Sequence, residues 1–281
     1  MAGRGSTAAL VGSLMFTFAL AGCGGGGQRA KTIPNEDLTA KQIYSRAEYA
    51  LEGRHDPKTA AKDFGEVQRL YPYSAWAKRA TIMEAYADHQ AKKYQESRDA
   101  AQRYLDYYPG DEDAAYAQYL LALSYYDQID AVGRDQGVTF QALKALRDVI
   151  QKYPNSDYAR SAMLKFDLAF NHLAAKEMEI GRYYEKKGDY AAAANRFRAV
   201  VEQYQTTTYT PEALERLVEC YIALGFTDDA QTAGAILGHN FRSSPFYQEA
   251  YVRLKHNGLA PSAKTGSWLN RIFDNGAKSG K

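Results

Sequence analysis

Seven side chains in this sequence are thiols or imidazoles, which bind transition metals and can attack electrophiles: Cys23, Cys220, His55, His89, His172, His239 and His256. Their spacing does not serve catalysis. No two histidines stand four apart with a glutamate between them, as a helical zinc site requires. No Gly-x-Ser-x-Gly elbow offers a serine nucleophile, and no glycine-rich phosphate loop follows a strand-like run. The run Asp111-Glu112-Asp113 precedes an apolar periodic segment, where carboxylates favour a helix N-terminus rather than a metal. The expected catalytic set is therefore empty, as is the metal set. Cys220, inside an apolar helical stretch, reads as a small buried hydrophobe.

Cys23 is different. Arg4 supplies a small positive region, and Ala8 to Ala21 form an apolar stretch of signal-peptide length. The sequence Leu20-Ala21-Gly22-Cys23 then resembles a bacterial lipobox, in which cleavage before the cysteine frees its thiol to carry a diacylglycerol. Residues 1–22 are expected to be a lipoprotein signal peptide and 23–36, with Pro34, a flexible Gly-rich tether. Cys23 is the expected lipidation site, that lipid being the only non-protein group called for, and more than one acyl chain makes anchoring stable. Gly24 follows the cysteine in place of the aspartate that retains such proteins in the inner membrane, which points to the outer one.

The 23 tyrosines suit both helix packing and peptide grooves, each pairing a large apolar ring with one polar tip. Tyr44, Tyr86, Tyr125 and Tyr126 are the candidates for an aromatic groove that takes an extended or helical peptide. Nucleic acid is not an expected partner of a chain whose net charge is only +2.

The elements that must hold these residues show in a repeat. Ala60, Ser97, Ala142, Ala193 and Ala230 are each followed eleven residues later by an aromatic, namely Tyr71, Tyr108, Tyr153, Tyr204 and Phe241. Both columns advance by 37, 45, 51 and 37 residues. Such a period belongs to a solenoid of helical hairpins, in which the small residue lets paired helices approach and the large ones fill the groove beside it. The expected fold is all-α: a tetratricopeptide-type solenoid of five repeats over 37–256. The N-terminal repeats occupy about 37–154 and the C-terminal ones about 158–242, with a capping helix near 246–255. Between Tyr158 and Lys187 only Gly181 interrupts the helical pattern, so one helix of about 30 residues joins repeats three and four. The tail 257–281 is expected to be mostly disordered. Within it Trp268, Leu269, Ile272 and Phe273 line one helical face, either for a partner or membrane or to fold back on the solenoid.

Taken together, the lipobox, the Tyr-Pro closures in Tyr71-Pro72-Tyr73-Ser74 and Tyr153-Pro154-Asn155-Ser156, the insertion carrying Arg134-Asp135 and the helix ending Tyr183-Tyr184-Glu185-Lys186-Lys187-Gly188 resemble the BamD family. These are lipoproteins of the outer-membrane β-barrel assembly machinery, and the resemblance runs to about residue 256. It implies a non-catalytic scaffold on the periplasmic face of the outer membrane. It implies as partners BamA, other assembly lipoproteins and unfolded outer-membrane proteins, whose targeting signals the N-terminal repeats would receive. It also implies that Asn195 and Arg196 form part of the BamA interface, the arginine facing an acidic residue. A tetratricopeptide scaffold for pilus assembly or for cell-wall hydrolases is the alternative, though it would favour more regular 34-residue repeats.

Overall fold

A computed structural model describes residues 34–264 and 266–279 of the chain, with side chains as far as Phe273. Cys23, the signal peptide and the tether up to residue 33 lie outside the described residues. Among those described there is no strand. A short 3-10 turn (Asn35–Asp37) leads into α1 (Ala40–Glu48), which continues as a π-helical turn (Tyr49–Gly53). Then follow α2 (Pro57–Leu70), α3 (Ala75–Gln90), α4 (Tyr94–Tyr107), α5 (Ala114–Tyr126), α6 (Gly137–Lys152) and α7 (Asp157–Lys186). The chain continues through α8 (Tyr190–Gln203), α9 (Thr210–Leu224), α10 (Thr227–Asn240), α11 (Pro245–His256) and α12 (Trp268–Ser279). Each helix packs on the next in sequence from α1 to α10, and α11 closes on α9 and α10.

The two sequence columns account for this stacking. Ala60, Ser97, Ala142, Ala193 and Ala230 are all fully buried. The one hydroxyl among them is satisfied, because Ser97 Oγ donates to the Ala85 carbonyl at 2.8 Å and accepts from Ser124 Oγ at 3.0 Å. The five aromatics each end a helix with nearly the same backbone, φ −134° and ψ 54° at Tyr71, −130° and 52° at Tyr153, −134° and 40° at Phe241. At Tyr71, Tyr108 and Tyr153 a following proline disfavours helical backbone at the residue before it, and in two of these turns a serine then caps the next helix. Ser74 and Ser156 accept from the N–H groups of Ala77 and Ala159.

The 30 residues of α7 span about 45 Å. Its first half packs on α5 and α6, its second on α8. At Gly181 the Phe197 ring of α8 packs directly on the α7 backbone, and a Cβ there would lie 2.5 Å from the ring, which is why glycine stands there.

Both ends depart from expectation. The tether predicted to run flexibly to residue 36 is pinned from Asn35 onward: Asn35 accepts from Arg46, Glu36 pairs with Arg69 at 3.3 Å, and Tyr71 Oη donates to the Leu38 carbonyl at 2.5 Å. The tail predicted to be mostly disordered follows α10. Ser262 N–H donates to the Gln231 carbonyl at 3.2 Å, and Gln231 donates back to that of Ala260 at 2.9 Å. Of the fates left open for the Trp268 segment, the structure has the fold-back: Leu269 is fully buried, and the Arg198 guanidinium sits 4.3 Å from the centre of the Trp268 ring.

Candidate partner-binding surfaces

Tyr44 does not line a groove. It is 4% exposed, packed against Phe64 at 5.2 Å and Trp76 at 5.0 Å between ring centres. Its place on α1 faces α2 and α3, so the ring fills the first hairpin's core rather than a peptide channel. Burial accordingly pushes its hydroxyl upward in pKa.

Tyr86 does reach a cleft, of about 490 Å³, that opens between the first hairpin's turn and α3. Leu51, Glu52, His55 and Pro57 form one wall; Met83, Tyr86 and Gln90 form the other. The π turn widens the end of α1 by one residue, and His55 then takes a left-handed φ of 51°. Both features are of the kind held in place at binding sites. Of these residues, only Tyr86 was expected in a groove; Gly53 and Pro57 are residue types common in turns, and they gave no sign of this turn's shape.

Tyr125 and Tyr126 lie elsewhere, at the end of α5. Arg98 covers Tyr125 at 4.3 Å and donates to the Ser124 carbonyl at 3.2 Å. Lys165 lies 4.8 Å from the centre of the Tyr126 ring, and Tyr126 borders a smaller cleft of about 280 Å³ with Ile129, Leu168 and His172. The four predicted groove tyrosines therefore separate: Tyr44 is core, Tyr125 lies under Arg98, and Tyr86 and Tyr126 border two different clefts. Exposed Leu164 and Leu168 on α7 continue the second cleft outward.

Asn195 and Arg196 are both exposed on α8. Arg196 Nη1 donates to Glu177 Oε2 of α7 at 3.1 Å, with 45% of the arginine side chain still open to solvent. An ion pair this exposed is worth about 0–1 kcal/mol, so the guanidinium can exchange Glu177 for another carboxylate at little cost.

The remaining candidates for chemistry are structural. Cys220 is fully buried and burial pushes its thiol up to about 12, far from a reactive thiolate. Asp111 accepts from Lys78 and from the Tyr104 hydroxyl, both at 2.5 Å, and these bonds hold its carboxyl down at about 2. No group of three or more potential ligands is arranged to hold a metal ion among the described residues. Nor is any described helix long and apolar enough to cross a membrane.

Residues 36–236 match the sequence profile of the YfiO family, described as an outer membrane lipoprotein. Over 96% of its length the chain is 42% identical to the outer membrane protein assembly factor BamD of Caulobacter vibrioides, covering 88% of that protein. The BamD of Rickettsia prowazekii is 39% identical over 82% of this chain and 92% of its own. That of Neisseria meningitidis is 28% identical over 77% and 84%. Among solved structures, a thermophilic TPR protein of Thermus thermophilus aligns at a TM-score of 0.35 and 16% identity, covering 77% of this chain and all of that one.

Proposed function

The chain belongs to the YfiO family of outer membrane lipoproteins, whose BamD members are outer membrane protein assembly factors, and on that premise we propose that it works as a lipid-anchored scaffold with two separate binding surfaces. The family is one of non-enzymatic assembly factors, so the mechanism is binding without turnover.

The first surface is the strip of α8 carrying Asn195 and Arg196, which takes an acidic residue of the central barrel protein BamA. An arginine half-open to solvent and loosely paired supports this, since a partner carboxylate can receive a bidentate, charge-assisted hydrogen bond from it. The second is the cleft at Tyr86, where an aromatic or aliphatic side chain from the targeting signal of an unfolded outer-membrane protein docks against Leu51, Met83 and Tyr86. The Tyr126 cleft offers room for another assembly lipoprotein. Cys23 carries the lipid, holding the molecule on the periplasmic face of the outer membrane.

The observation that carries this reading is the 42% identity to an assembly factor along nearly the whole chain, which favours barrel assembly over a pilus or wall-hydrolase scaffold. Its test is a tagged pull-down from detergent-solubilised membranes with wild type and Arg196→Glu. Co-purification of a large β-barrel protein that the charge reversal releases is the expected result. Capture of a secretin or a wall hydrolase instead would overturn it.

A further inference from the structure

Eight buried side-chain nitrogen or oxygen atoms lack a hydrogen-bond partner among the described residues, and six of them sit in one place. They belong to Glu185 at the end of α7, to Glu215, Arg216 and Glu219 on α9, and to Arg253 on α11. The ions are close. Arg253 Nη2 lies 3.0 Å from Glu219 and 3.3 Å from Glu215. Arg216 Nη1 lies 3.4 Å from Glu185 and 3.5 Å from Glu219, and its Nε 3.6 Å from Glu215. Yet Glu185 Oε1, both Glu215 oxygens and Glu219 Oε2 have no hydrogen-bond donor among the described residues. The Glu215 side chain is 1% exposed and that of Glu185 10%, so water does not make up the shortfall.

The charges do not balance either. Three carboxylates face two guanidinium groups. Glu212 lies 3.6 Å from Arg216 as well but is held by Arg182 at 2.7 Å, and this added pair leaves the excess of one carboxylate unchanged; Glu249 of α11 adds negative charge and the buried Cys220 thiol adds none. A buried carboxylate without a partner is costly. One proton taken from solvent removes the excess charge and supplies a donor, since a carboxylic acid can share its O–H with a neighbouring carboxylate.

We propose that this cluster is a proton-binding latch. With one proton held among Glu185, Glu215 and Glu219, α11 is closed on α9; release of that proton loosens α11 from the stack. Closure buries Ala250 and Leu254, the latter seated against Gly234 of α10. The direction of titration agrees. Burial, with Glu219 and Glu215 adding to it and Arg216 and Arg253 opposing, pushes the Glu185 carboxyl up to about 7, and burial raises Glu215 as well. An acid raised above its ordinary value stabilises the closed state at low pH and loses that contribution as pH rises through the raised value.

The test is amide hydrogen exchange on the whole protein at pH 6 and pH 8, corrected for the intrinsic exchange rates. Protection of α11 is expected to fall about tenfold between the two, as one proton with a value near 7 requires. In Glu185→Gln or Glu215→Gln the fall is expected to shrink, because an amide keeps a donor and has no proton to lose, while α2, whose shifted carboxylates Asp56 and Glu66 are lowered, stays unchanged throughout. Equal protection of wild-type α11 at both pH values would overturn the latch. So would an undiminished fall in both variants.

Discussion

In the first hairpin, Arg46 donates to Asp63 from Nε at 2.9 Å and from Nη2 at 3.1 Å, a two-point pair between α1 and α2. At the far end of the stack, Arg216 and Arg253 approach Glu185, Glu215 and Glu219 at 3.0–3.6 Å and leave four oxygens of these carboxylates without a donor. The distances overlap; the outcomes do not. What makes a buried charge tolerable is alignment and donor count, because desolvation is repaid only by hydrogen bonds of good geometry. The N-terminal end is thus closed by a satisfied pair, and the C-terminal end by a cluster short of one proton.

If charge is what separates the two ends, their apolar frames should respond alike. Phe64 and Phe197 stand four residues after the small positions Ala60 and Ala193, and both are fully buried. Truncation of either to alanine is expected to cost about 3–5 kcal/mol in urea unfolding. A loss below about 1 kcal/mol at one end only would break the equivalence of the units.

Amide substitution sharpens the contrast next. Asp63→Asn removes a satisfied ion from Arg46 and is expected to destabilise by about 1–3 kcal/mol at pH 8. Glu185→Gln is expected to stabilise by about the same amount at pH 8 and to do little at about pH 3, below the ordinary glutamate value, where the wild-type carboxyl is protonated whether folded or not. Two changes of the same sign at pH 8 would contradict the comparison.

Asp111 adds an acid-side check. Its carboxyl is lowered to about 2, so it contributes above its ordinary value near 3.8 and loses that contribution as pH falls from there through 2. Lys78→Ala is expected to weaken that acid dependence, read as thermal midpoint against pH. The smallest effect should come from Arg196→Glu, whose loss of the exposed Glu177 pair is worth about 1 kcal/mol or less in stability. Its partner binding is expected to drop at least tenfold, a difference of about 1.4 kcal/mol or more. A large thermal shift in this variant would mean that Arg196 serves the fold instead.

The helical stack was legible because its constraints recur. Each hairpin needs one small residue at the crossing and one aromatic at the exit, and Ala60 with Tyr71 repeats that need at fixed steps along the chain. The length of α7 followed from a run without helix breakers. Tyr44 was misread because a first-helix tyrosine has the same periodicity whether it faces a groove or Trp76. The Glu185 cluster was not legible as a whole: Glu215, Arg216 and Glu219 are neighbours on α9, but Glu185 and Arg253 stand 30 or more residues from them on other helices, and only packing brings the three helices together. The same holds for Trp268, whose partner Arg198 is 70 positions away.

The most direct measurement places a photoreactive amino acid at residue 196 and, separately, at residue 86 of the full-length protein in growing cells. The two-surface account predicts a crosslink to the central barrel protein from position 196 and to unfolded outer-membrane proteins from position 86. The same partner at both positions, or the two partners exchanged, would contradict it.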